Sequence, residues 1–154
     1  MNVDVKKFIE EHIDLIEDNQ WEEVYDKLKI DVRGEFTQIM LEASIDALKS
    51  LDYIPDGYLN NADITSFEVP KGIKRINDHA FFACRNLQEF IIPNSVEYIG
   101  AFVFGKCPLL KEIIYVGTKR EWRAIPKSKM WRTSSYVEFI NCSDGYVTLK
   151  SKKY

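Results

Sequence analysis

The sequence predicts an α+β chain in which a small N-terminal helical bundle leads into a short solenoid of stacked repeats closed by a C-terminal strand pair. Three observations predict it. Apolar residues recur at helical spacing through the first third of the chain, a 23-residue unit repeats without a gap from residue 66, and an Asp-Gly turn stands near the end. The predicted division is an acidic helical segment, residues 1–53, and a solenoid with its cap, residues 54–154.

In the first segment Val5, Phe8, Ile9, Ile13 and Ile16 share one helix face, and Lys6, Lys7, Glu10, Glu11, Asp14 and Glu17 take the other. Asn19 followed by Glu22 reads as a helix start, and Trp21, Val24, Tyr25 and Leu28 give a second helix its apolar side, ending before Gly34. Thr37 caps a third helix with Ile39, Met40, Ala43 and Leu48 facing inward, until Pro55 and Gly57 stop helical structure. Charge is divided along the chain as well. Residues 1–65 hold 16 acids and 6 bases and residues 66–154 hold 8 and 15, so the net charge of −3 is the sum of −10 and +7.

In the second segment SFEVPKGIKRINDHAFFACRNLQ, residues 66–88, lies over EFIIPNSVEYIGAFVFGKCPLLK, residues 89–111. Phe67 matches Phe90, Val69 matches Ile92, Ile76 matches Ile99, Phe81 matches Phe104, Cys84 matches Cys107 and Leu87 matches Leu110. A third copy begins as EIIYVGT, with Ile113 and Tyr115 on the same columns, and then departs. A unit this small cannot bury its own apolar side, so units stack around a shared core and need caps at both ends.

The run from Val69 and Pro70 through Gly100 is similar to the BspA-type leucine-rich repeat family. Residues 113–125, IIYVGTKREWRAI, resemble that family's terminal repeat, in which a Gly-Thr and a Trp close the array. Strands over Tyr136 to Asn141 and Tyr146 to Leu149 around Asp144 and Gly145 match the way many such arrays end. The resemblance covers roughly residues 54–149 and implies a binding scaffold rather than a reaction. The family is known for surface adhesins, but this chain most resembles short intracellular members of bacteriophages and mobile elements. That likeness implies a phage protein whose partner is a host protein, concretely an inhibitor of a host defence effector in the bacterial cytoplasm.

The residues themselves offer little catalytic chemistry. There is no P-loop, no GxGxxG, no HExxH and no GxSxG, and His12 and His79 are the only histidines. No enzyme activity, cofactor or metal is expected. No run reaches the roughly 20 apolar residues of a membrane span, and no secretion signal is evident, so no membrane partner is expected. Cys84, Cys107 and Cys142 are an odd number without a CxxC pair, which points to a reducing compartment. Cys84 and Cys107 are read as a buried ladder of small side chains.

Two surfaces are candidates. Strand alternation sends Glu68, Ile91 and Ile114 outward in one column, and Phe82 and Phe102 occupy positions that the repeat leaves variable. These five residues are the expected protein-binding set, unless the helical segment or the cap covers them. The alternative is nucleic-acid binding through Lys119, Arg120, Arg123, Lys127, Lys129 and Arg132, with Trp131 as a stacking platform and Trp122 buried. Self-assembly through open solenoid ends is a third possibility, and the oligomeric state is left open.

Overall fold

The computed structural model describes residues 46–48 and 50–150, which wind into a three-sided solenoid of about 4 turns. The chain contributes strands β1 (Tyr53–Ile54), β2 (Ser66–Glu68), β3 (Arg75–Ile76), β4 (Glu89–Pro93), β5 (Tyr98–Ile99) and β6 (Glu112–Val116). Helix α1 (Lys119–Ala124) and strands β7 (Phe139–Cys142) and β8 (Gly145–Thr148) follow. One side is a five-stranded sheet in the order β2-β4-β6-β7-β8, and a second is the three-stranded sheet β1-β3-β5. The third side is a ladder of turns, joined rung to rung by bonds such as His79 N to Ala101 O and Phe81 N to Val103 O.

The repeat explains this shape. Residues 23 apart pair directly, Phe67 with Phe90 and Ile91 with Ile114, so each strand is parallel to its copy. Pro70 and Pro93 lack an N–H and close the strand segments, turning the chain toward the second side. The third side bends through left-handed backbone in two columns, one of Gly57, His79 and Phe102, the other of Asn61, Ala83, Lys106 and Ser134. Most of these carry a Cβ, and such strain, about 1 kcal/mol or more each, persists only where neighbouring rungs fix the backbone.

The core is a stack of equivalent side chains. Phe67, Phe90, Ile113 and Ile140 form one buried column, Val69, Ile92, Tyr115 and Cys142 a second, and Ile64, Leu87, Leu110 and Val137 a third. Phenylalanines interlock within and between rungs, Phe81 lying 4.7 Å from Phe90 of the next rung and Phe90 4.8 Å from Phe104 of its own, centroid to centroid. Cys84 and Cys107 lie buried as free thiols, each donating to the preceding rung, at Leu59 O and Phe81 O, both at 3.1 Å.

The columns extend beyond the two full repeats in both directions. The third copy does not stop where the ungapped alignment departs. Helix α1 replaces a short turn, after which Lys127 rejoins the second side beside Ile99 and Met130 O accepts from Phe102 N on the third. Strand β7 then pairs in parallel with β6 before β8 folds back antiparallel, so the strand pair prolongs the sheet as well as closing it. At the other end β1 pairs with β3, and the expected boundary after residue 53 falls inside β1. A helical turn at residues 46–48 places Leu48 in the core, as its inward spacing predicts. The remainder of the expected helical bundle lies outside the described residues.

Candidate functional site

The outward face of the five-stranded sheet is the most distinctive surface. Side chains alternate along each strand, so Phe67, Phe90, Ile113 and Ile140 enter the core while their neighbours point out. Register places Glu68, Ile91, Ile114, Asn141 and Tyr146 in one row across the sheet. The adjacent row is Ser66, Glu89, Glu112, Phe139 and Thr148, with Val116 beyond Ile114 on β6. Ile91 and Ile114, paired side by side on neighbouring strands, are half-buried. Toward β8 the face is more open. Phe139 and Tyr146 meet edge to face at 6.3 Å, and Tyr146 and Val116 are 59% and 53% exposed.

Of the five residues expected to bind protein, Glu68, Ile91 and Ile114 therefore sit together. Phe82 and Phe102 do not join them. Both are half-buried on the third side, where His79 stacks on Phe102 at 5.0 Å and Lys106 Nζ stands 5.5 Å over the Phe82 ring. A Cβ at Gly105 would lie 2.8 Å from the Phe82 ring, so that ring covers the glycine backbone. Repeat variability marked these positions, but it could not distinguish one side of the solenoid from another.

Sequence reasoning missed Glu89, Glu112, Phe139, Tyr146 and Val116. The signal was available for the first two. Glu89 and Glu112 fall on the same 23-residue column as Ser66, two positions before the isoleucine column. Phe139 and Tyr146 required the β7 register, which the longer last rung conceals.

The basic stretch is differently deployed. Helix α1 starts with a capping box, Thr118 Oγ1 accepting from Glu121 N at 3.2 Å and Glu121 Oε2 accepting from Thr118 N at 2.6 Å. It carries Lys119, Arg120 and Arg123, and Lys129 is exposed beyond it. Lys127 instead turns inward, its Nζ donating to Trp122 O and Ile125 O at 2.8 Å and lying 4.4 Å over the Trp122 ring. Burial pushes its pKa down to about 8. Arg132 donates to Lys150 O at 3.1 Å and Val137 O at 3.4 Å, and burial lowers its pKa. Trp131 is half-buried against the core, edge to face with the buried Trp122 at 5.7 Å. The cap thus uses two of its cations and both tryptophans for its own packing.

Among the described residues no group of three or more His, Cys, Asp or Glu is placed to hold a metal ion, and no helix is long and apolar enough to cross a membrane. Comparison with known proteins gives a family assignment. The model of the BspA type leucine rich repeat region matches 6 copies over residues 10–150. Among solved structures the chain is similar to a leucine rich cell surface protein of Faecalibacterium prausnitzii A2-165, with 33% identity and a TM-score of 0.47. That match covers 49% of this chain and 20% of the other. No curated protein matches.

Proposed function

Because the chain belongs to the BspA type leucine rich repeat family, we propose that it is a non-catalytic protein-binding module that engages its partner through the outward face of the five-stranded sheet. Repeat families of this kind generally serve interaction, since a stacked scaffold presents a preformed surface at low ordering cost. One observation carries the reading to this face. Ile91 and Ile114 take the outward column that a solvated sheet gives to polar residues, and Phe139, Tyr146 and Val116 extend the apolar surface. Aromatic and aliphatic anchors on a rigid backbone are the usual centre of a protein interface.

The narrower reading is that the chain is a phage protein acting in the bacterial cytoplasm, where it binds and inhibits a host defence protein. It is supported by the likeness to short intracellular family members. Capture experiments with tagged full-length chain and the Ile91→Lys/Ile114→Lys double variant, with and without nuclease, test both levels. The expected result is one stoichiometric protein that survives nuclease and is lost with the double variant, its identity deciding the narrower reading. Capture that depends on nucleic acid, or that the double variant leaves intact, overturns the proposal.

A further inference from the structure

We propose that the partner meets this face with a segment that is both basic and apolar, its lysines or arginines over Glu89 and Glu112 and its apolar side chains over Ile91 and Ile114. The inference rests on the protein-binding reading and specifies the chemistry of what is bound. It starts from charge. Residues 66–154 hold 15 bases and 8 acids, yet the outward positions of the five strands carry three acids, Glu68, Glu89 and Glu112, and no base.

The placement of two of those acids is unfavourable within the chain itself. Ile91 pairs with Ile114, so Glu89 and Glu112, each two residues earlier, stand side by side on β4 and β6. Like charges opposite one another on neighbouring strands destabilise a sheet. Neither forms an ion pair with a described cation. Among the described residues the ion pair formed is Lys74 Nζ to Glu97 Oε1, at 3.8 Å, which involves neither acid. A local rule broken without internal compensation, next to half-exposed isoleucines, is the pattern of a surface whose compensation arrives with a ligand.

Geometry defines what fits. Neighbouring strands lie about 4.8 Å apart and alternate residues about 6.8 Å apart, so the two acids and two isoleucines mark the corners of a small rectangle. A partner strand spans its long edge with residues two apart, and a partner helix does so with residues four apart, a rise of about 6 Å. Two other occupants carry the wrong sign. Nucleic acid would bring phosphates against the carboxylates, and the chain's own residues 1–45 hold 12 acids and 5 bases.

The test is selection of short random displayed peptides on the full chain, with prior depletion on the Ile91→Lys/Ile114→Lys variant. Affinities of the enriched peptides are then measured at two salt concentrations. Enriched peptides should combine Lys or Arg with large apolar residues, and their affinity should fall with salt. Glu89→Gln and Glu112→Gln should each weaken binding about threefold, the yield of one solvated ion pair. Both variants should fold at least as stably as the parent, since each removes the repulsion. Enriched peptides without basic residues, or affinities that the two Gln variants leave unchanged, overturn this inference while sparing the protein-binding reading. No enrichment beyond the depleted variant overturns both.

Discussion

Gly100 illustrates how closely the rungs approach. It is buried, and a Cβ there would lie 2.8 Å from Asp78 N and 2.9 Å from the Asn77 carbonyl carbon of the rung before. Asp78 Oδ1, which a Cβ would also strike, accepts from Ala101 N at 2.8 Å. Gly100→Ala should therefore cost about 1–3 kcal/mol, read as a lower denaturant midpoint with an unchanged slope. Lys127 makes a different residue-level prediction. Burial holds its folded pKa at about 8 against the ordinary lysine value of 10.5, so between those values unfolding takes up a proton and stability rises with pH. Below about pH 8 both states keep the proton and this contribution is flat. Cys84 works in the opposite sense, since the neighbouring Cys107 thiol and burial push it up, and unfolding above pH 9 releases its proton. Comparing wild type with Lys127→Met isolates the lysine: the stability difference should move in favour of wild type between pH 7.5 and 10, and a constant difference would refute the assignment.

At the scale of elements, sheet and cap differ in how legible they were. The strand columns were readable because 23-residue spacing superposes Phe67 on Phe90 and Cys84 on Cys107, and parallel pairing then follows from stacking. The last rung was not readable, because α1 lengthens it, so Ile99 pairs with Lys127 at a spacing of 28 rather than 23. The first rung was hidden by its 22-residue spacing, Ile54 pairing with Ile76, and by its own substitutions, Leu59 standing for Phe81 and Ala62 for Cys84. Of the candidate site, the outward isoleucine column was visible, whereas the exposure of Phe139 and Tyr146 depended on the hidden β7 register. Helix α1 also carries a prediction. Six residues are too few to be stable alone, so the element depends on its capping box, the buried Trp122 and the bond from Lys119 N to Asp144 Oδ1 at 2.8 Å. Thr118→Ala should cost about 1 kcal/mol. Because α1 separates β6 from Lys127, the loss should appear first as faster hydrogen exchange at Trp122 and Ile125, with the amides of β4 unchanged.

For the whole molecule, stability is a sum of neighbouring rungs, so the ends matter more than their length suggests. Strand β7 covers β6 through the pairs Glu112 with Phe139 and Ile113 with Ile140, and β8 then completes the other edge of β7. Its turn is anchored twice, by Ser143 N donating to Gly117 O at 2.8 Å and by Asp144 on α1. Ending the chain after Glu138 would remove both strands and uncover the edge of β6 beside Ile113, Tyr115 and Val137, all now buried. A parallel edge with an apolar flank recruits other strands. The shortened chain should therefore show a mass that rises with concentration by light scattering, where the full chain does so less or not at all. Its far-ultraviolet circular dichroism should keep strand signal, because β2, β4 and β6 retain their mutual pairing. If the shortened chain behaves as the full chain does in both respects, the hairpin closes nothing, and the sheet face that it extends would lose its claim to be a finished surface held for a partner.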